Sequence, residues 1–197
     1  MDAIEAMLTR RSTRNYRPDA VEAEKLELVL NAAKQAPSGG NSQTNHFLVI
    51  QNSEVICKLA AMAQEAFARM EITEDTYKSL KNSITLSKRG SYVFCYNAPV
   101  LIVVANQKDY GNNMADCACA IENMMIAANA LDLGSCWINQ LKWLNEAPKI
   151  VNYLRALGMK EGERVYGSVI IGYPASDSGL PNRNLMPQKG NEVTFVD

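Results

Sequence analysis

The chain has 197 residues, with 20 Lys+Arg against 21 Asp+Glu and 47% hydrophobic residues, enough for one ordinary globular domain or two small ones. A formal net charge of −1 speaks against a dedicated nucleic-acid binder, whose affinity rests on neutralising phosphates, and against a disordered chain. No run of about 18–20 apolar residues could span a bilayer, and the opening Met1-Asp2-Ala3-Ile4-Glu5 is acidic and helix-like rather than a basic leader, so we expect a cytoplasmic protein with no membrane partner.

In chain order, residues 2–9 read as a short helix capped by Asp2, with Ile4, Met7 and Leu8 on its apolar face. A second helix is expected over about 21–35, where Val21, Leu26, Val29, Leu30 and Ala33 recur at helical spacing, and Pro37 with Gly39-Gly40 stops it. His46 to Gln51 suits a strand. Ser53 is the expected cap of a helix reaching about Met70, with Val55, Leu59 and Met62 on one face. Residues 74–90 read equally as helix or as an irregular polar segment. Ala98 to Ala105 lacks polar alternation, which places it at the sheet centre, buried on both faces.

From about Asn113 to Leu131 a helix is apolar on nearly every face, including Met114, Cys117, Ile121, Met124, Met125 and Ile126. Such a helix needs cover all round, from its own domain and from a partner subunit. Gly134 is expected to break it. A helix then follows Pro148, which is tolerated in a first turn, Arg164 to Tyr173 is a second strong strand, and Val193 to Val196 reads as a last one. The Gly/Pro/Asn-rich stretch from Pro174 suits an arm lying across a surface. With no internal repeat or linker, we expect a single α+β domain over residues 1–197.

Five cysteines, an odd number without framework spacing, make structural disulfides an unsuitable reading. His46 is the single histidine, which removes the zinc motifs that need several, and nothing beside it resembles an activated nucleophile. No metal and no catalytic side chain are expected. A chain so poor in acid/base groups that is nevertheless an enzyme would rely on a cofactor.

Three segments carry possible chemistry. Arg10-Arg11-Ser12-Thr13-Arg14-Asn15-Tyr16-Arg17 sets four arginines and two hydroxyls together without an acid; guanidinium forks match phosphate and carboxylate oxygens, although a solvated basic loop has the same composition. Ala36 to Gln43 (APSGGNSQ) offers close backbone approach and side-chain amides to a heterocycle edge, while its Pro and Gly also suffice for a plain helix stop. Leu133 to Gln140 (LGSCWINQ) reads as a tight turn whose amides meet a ligand nitrogen, or as a helix end with a core Trp.

Taken in order, RRSTRNY (Arg10–Tyr16), APSGGNSQ (Ala36–Gln43), NAPVLIVV (Asn97–Val104), LGSCWIN (Leu133–Asn139), GSVIIGYP (Gly167–Pro174) and Pro181-Asn182-Arg183 resemble the nitroreductase family of FMN-dependent oxidoreductases over most of the chain. The resemblance implies an α-β-α sandwich with a central, mostly antiparallel sheet, assembled as a homodimer with an exchanged C-terminal arm and two interface FMN sites. It implies Arg10, Ser12 and Arg183 at the phosphate, Arg11 at the phosphate or ribityl end and Arg14 toward the pyrimidine edge. Pro37, Ser38 and Asn41 would come from the other subunit. The turn holding Trp137, Ile138 and Asn139 would line the isoalloxazine, with a backbone N–H near Asn139 or Gln140 toward N5.

The implied chemistry is ping-pong hydride transfer from NAD(P)H through flavin N5 to a nitroaromatic, a quinone or a similar oxidised small molecule. Reductive dehalogenation and flavin-dependent dehydrogenation are alternatives on the same scaffold, and a non-catalytic flavin- or anion-binding module is an alternative of another class. Where many members read Gln-Pro-Trp, this chain has Gln43-Thr44-Asn45, and it is short for the family, so the substrate pocket should be open or differently covered. Lys88 and Arg89 are candidates for ring or nicotinamide contacts. Cys136 reads as a small packing residue rather than a redox thiol.

Overall fold

In the computed structural model, which describes residues 1–187 and 189–196, the chain runs α1 (Ala3–Thr9), α2 (Ala23–Lys34), β1 (His46–Ile50), α3 (Ser53–Ala68), α4 (Lys78–Lys88), β2 (Val100–Gln107), α5 (Asn113–Ala130), β3 (Gly134–Ile138), α6 (Gln140–Trp143), α7 (Pro148–Ala156) and β4 (Glu163–Gly172). The four strands form one antiparallel sheet in the order β1-β2-β4-β3. β2 is an inner strand whose successive side chains enter two cores. Leu101, Val103 and Ala105 face α3, α4, α6 and α7 together with Ile56, Leu59, Ile84, Leu141 and Ile150, whereas Val100, Ile102 and Val104 face α2 and α5 with Val29, Ile121 and Met124. Each such fully buried aliphatic side chain contributes about 1.5–3 kcal/mol relative to exposure, so an uninterrupted apolar strand is favoured where both sheet faces are covered. The result is the expected α-β-α sandwich.

Local signals explain most of the boundaries. Asp2 caps α1, its Oδ1 accepting from Glu5 N at 2.8 Å. At α3 the cap is Asn52 rather than Ser53, its Oδ1 accepting from Glu54 N at 2.9 Å and Val55 N at 3.2 Å. That places Ile56, Leu59, Ala60, Ala63 and Phe67 on the buried face, in place of the expected stripe of Val55, Leu59 and Met62. The ambiguous stretch 74–90 contains α4, which buries Ser83, Ile84 and Ser87. Pro148 is in the first turn of α7.

Two expectations fail at the termini. On α1 only Ala6 is buried, while Ile4, Met7 and Leu8 face outward. Val193–Val196 forms no strand among the described residues, and Phe195 and Val196 are 87% and 91% exposed. A strand needs a neighbour to receive its backbone hydrogen bonds, and this chain alone provides none there.

The end of α5 also differs. The helix closes at Asp132, which takes φ 63° so that Leu133 N can donate to Ala128 O at 2.8 Å, the six-to-one bond of a helix terminus that glycine usually makes. Gly134 therefore does not stop the helix but opens β3. Its lack of a side chain is needed for close approach instead, because a Cβ there would lie 2.6 Å from Thr13 Oγ1.

Candidate functional site

The basic segment is held in extended form along the free edge of β3. Ser12 bridges Ser135, Thr13 N donates to Ser135 O at 2.9 Å, and farther on Arg17 N donates to Tyr173 O at 2.9 Å and Ala175 N to Asn15 O at 3.0 Å. Tyr16 is the buried anchor of this segment, its hydroxyl donating to Thr13 O at 2.7 Å; burial pushes its phenol far above the ordinary range, so it stays a neutral donor. Over residues 11–14 the extended backbone alternates its side chains, Ser12 and Arg14 exposed and Arg11 and Thr13 half-buried, and Tyr16 breaks that alternation by turning inward.

LGSCWIN is thus mostly strand, not a tight turn, and its side chains are presented by β3 and the residues just after it. Trp137, Ile138, Asn139 and Gln140 line a cleft of about 540 Å³ together with Arg14, Cys136, Tyr96, Tyr92, Trp143 and the α4 residues Lys78, Lys81 and Asn82. Trp137 Nε1 donates to Asn139 Oδ1 at 2.9 Å, and Gln140 Nε2 donates to Tyr92 OH at 2.6 Å, leaving the buried Gln140 Oε1 without a partner among the described residues. Lys88 and Arg89 do not line this cleft; they stand at the far end of α4, which contributes Lys78, Lys81 and Asn82 instead.

Cys136 marks where the basic residues converge. Burial pushes its thiol up, opposed by the Arg14 guanidinium, the Ser12 hydroxyl and the Arg10 guanidinium. It is 2% exposed, the burial expected of a packing residue. Burial likewise raises Cys95 and pushes Cys117 up to about 12, whereas Cys57 is exposed. Because the thiolate is the reactive form, thiol titration of the native protein near pH 8 is expected to modify Cys57 first and to reach Cys95, Cys117 and Cys136 only on unfolding. Rapid native modification of Cys136 would show that the thiol is a reactive group.

The remaining arginines are oriented by α1 and α5. Arg10 Nε lies 3.5 Å from Glu122 Oε1 on α5, a long, part-exposed contact worth at most about 1 kcal/mol. Arg11 Nη1 donates to Leu8 O at 3.2 Å, but its buried Nε has no partner among the described residues. Arg183 donates from Nε to Asn129 Oδ1 at 3.3 Å and from Nη2 to Asn129 O and Asp132 Oδ1, both at 2.6 Å. Asn129, 2% exposed, also donates from Nδ2 to Ala6 O and Thr9 Oγ1 at 3.0 Å. The Asn129 amide therefore ties the end of α1, from which the basic segment follows, to Arg183, which lies 54 residues beyond Asn129 in sequence.

Pro37, Ser38 and Asn41 lie elsewhere. Ser38 O accepts from Asn41 N at 2.9 Å and Ser38 Oγ from Gln43 N at 3.1 Å. Their loop is fastened to the start of α5, where Asp116 Oδ1 accepts from Gly39 N at 3.1 Å. The Tyr110 hydroxyl accepts from Ser42 Oγ at 2.9 Å and has Gly39 O at 3.0 Å and Asp116 Oδ2 at 3.1 Å as acceptors for its one proton. This loop leads into β1 and the basic segment borders β3, so the two occupy opposite edges of the sheet, about 14 Å apart for three strand spacings. One chain brings Arg10, Arg11, Ser12 and Arg14 to the β3 edge with Trp137, Ile138 and Asn139. It does not bring Pro37, Ser38 and Asn41 there.

Among the described residues no group of three His, Cys, Asp or Glu side chains is placed to hold a metal, and no helix is long and apolar enough to cross a membrane. Residues 7–173 match the family described as "Nitroreductase family". An FMN-bound nitroreductase from Bacteroides fragilis superposes with a TM-score of 0.86 at 34% identity, each chain covered in full. An FMN-bound nitroreductase from Desulfitobacterium hafniense has the same fold, with a TM-score of 0.82 at 24% identity and full coverage of both chains. An Archaeoglobus fulgidus protein bearing the provisional name NADH dehydrogenase/NAD(P)H nitroreductase is 28% identical over 176 residues, 89% of this chain and 87% of that one.

Proposed function

The chain belongs to the nitroreductase family, and from that premise we propose that residues 1–197 form one FMN-binding domain that draws reducing equivalents from NAD(P)H and, in a ping-pong cycle, reduces a nitroaromatic, a quinone or a similar oxidised small molecule. The observation that carries the reading is the convergence at the β3 edge. Arg14, without a carboxylate partner among the described residues, shares one cleft with Trp137, Ile138 and Asn139, and Ser12 lies against Ser135 on the same strand, β3. The orphaned Arg11 Nε and Gln140 Oε1 are a donor and an acceptor suited to a polar heterocycle with a phosphate tail.

Bound FMN supplies the two-electron chemistry. The chain's residues bind and orient it. Arg10 and Ser12 hold the phosphate, with Arg183 beside them, because guanidinium forks suit a phosphate dianion. Arg11 serves the phosphate or ribityl end, and Arg14 stabilises negative charge at the pyrimidine edge. Trp137, Ile138 and Asn139 wall the ring system, and no catalytic side chain is assigned. Pro37, Ser38 and Asn41 serve the flavin of a second copy, which the separation of the two sheet edges supports. The outward apolar residues of α1 and the exposed tail around Phe195 support a homodimer with an exchanged C-terminal arm. We place the enzyme in the cytoplasm, where its free cysteines stay reduced.

The visible spectrum of the purified protein, taken before and after anaerobic NADPH or NADH, tests this reading. A yellow protein that bleaches with either nucleotide is expected. Flavin that binds and resists both would leave a binding module only, and a protein that stays colourless after incubation with FMN would sink the reading. Arg10→Ala is expected to weaken FMN retention about 10- to 100-fold by removing charge-assisted hydrogen bonds; wild-type flavin content in the folded variant would remove Arg10 from the phosphate site.

A further inference from the structure

Along α4, Lys78, Lys81, Asn82 and Thr85 follow one another at the spacing i, i+3, i+4, i+7, which puts them on one stripe of the helix, and all four line the cleft at the β3 edge. The opposite side of the same helix carries the buried Ile84 and Ser87, and the buried Ser83 at its margin also borders the cleft. This buried side fixes the orientation of the helix, which cannot turn without exposing it. Neither lysine has a carboxylate partner among the described residues, and with Arg14 they make three cations in a lining that contains no Asp or Glu. Glu71, Glu74 and Asp75, in the segment before α4, do not line the cleft. In a chain of net charge −1, this is a local positive field set between aromatic walls, Tyr77 and Trp143, whose rings meet edge to face at 6.2 Å.

We propose that Lys78 and Lys81 select an anionic electron acceptor, an oxidised aromatic molecule that carries a carboxylate or sulfonate. The inference rests on the oxidoreductase reading and adds to it the charge of the second substrate. Arg14 is assigned to the flavin, so the two lysines are the cations left to meet another ligand. The cleft of about 540 Å³ is shared with the flavin ring system, so the space left beside α4 suits a small aromatic acid better than a whole dinucleotide. A cleft lined by one sign of charge concentrates counter-charged ligands and raises their association rate about tenfold or more, and salt removes the advantage.

The test uses the FMN-loaded enzyme reduced with dithionite, so that the outcome does not depend on NAD(P)H. It is mixed rapidly with 1,4-naphthoquinone or with 1,4-naphthoquinone-2-sulfonate. Each quinone takes two electrons from the reduced enzyme and two protons to become its hydroquinone. In the K78Q/K81Q variant the ratio of the sulfonate rate constant to the neutral one is expected to fall about tenfold, and K78E/K81E should lower it further. The K88Q/R89Q variant removes the same charge from the same helix outside the cleft and is expected to keep the wild-type ratio. Rising salt should lower the wild-type ratio as well.

An equal change for both quinones, loss of FMN from K78Q/K81Q, or an effect confined to reduction by NAD(P)H would overturn the proposal and assign the lysines to the flavin or the nucleotide. A protein that takes up no flavin would sink the oxidoreductase reading instead. In that event, quenching of Trp143 fluorescence by naphthalene-2-sulfonate against the neutral sulfonamide judges the lysines alone, with a preference for the anion supporting an anion-selective cleft and equal quenching overturning it.

Discussion

Asp116→Ala is expected to destabilise the protein by about 2–3 kcal/mol and to abolish stable FMN retention, although Asp116 is far from the arginines of its own chain. Its carboxylate, in a residue 4% exposed, accepts from Gly39 N and shares the Tyr110 hydroxyl proton with Gly39 O. Removing it leaves the Gly39 N–H and its loop without an anchor, so Ser38 and Asn41 lose the geometry with which they would serve the partner's flavin. Asp116 also sits in the first turn of α5, where a negative charge interacts favourably with the helix N-terminus. Asp116→Asn should restore most of the stability. Its carbonyl oxygen can still accept from Gly39 N, and its amide can donate to the Tyr110 oxygen while that hydroxyl donates to Gly39 O. Thermal unfolding and flavin content, measured together for the two variants, check this. Wild-type flavin retention in folded Asp116→Ala would mean that the Ser38–Asn41 loop does not contribute to the site.

Asn129→Leu should cost about 2–4 kcal/mol and should lower FMN affinity more than Arg183→Ala does. The single variant at 183 removes one guanidinium, whereas the loss of the Asn129 amide frees Arg183 Nε and also unties Ala6 O and Thr9 Oγ1 at the end of α1, from which Arg10, Arg11 and Ser12 follow directly. Asn129→Asp is not expected to rescue it. A carboxylate keeps the acceptor for Arg183 but cannot donate, and it faces the Ala6 carbonyl with like partial charge. Flavin titration of the three variants separates the cases: an Asn129→Leu protein that binds FMN as tightly as Arg183→Ala would show that α1 does not depend on the amide for its orientation.

Both of these residues went unremarked in the sequence for the same reason. The apolar residues dominate the pattern of the helix from 113 to 131, in which Asp116 and Asn129 are ordinary polar positions. A signal was present, however. In a helix that must be covered all round, every polar side chain needs a partner, since burying one unpaired is costly; a polar residue in such a helix is thus a pointer to an anchor. The identity of the anchored group lay 77 residues away for Asp116 and 123 for Asn129, beyond the reach of any local pattern.

Composition and periodicity were sufficient for one α+β domain with a central strand, because an apolar run without alternation at 98–105 is favoured where both sheet faces are covered; the sandwich itself was implied by the family resemblance. They also singled out the arginine segment, whose guanidinium groups suit an anion whatever the fold, while leaving open whether that loop is simply solvated. What lay beyond them was every relation that depends on two distant segments meeting. Gly134 looked like a helix stop until Thr13 was seen to pack against it, LGSCWIN looked like a turn until β4 was seen beside it, and the lysines of α4 were unremarkable until the helix was laid over the cleft. A residue's type sets which interactions it can make at short range; which partner satisfies it is settled only when the chain closes on itself and the buried polar groups compete for the few donors and acceptors within reach.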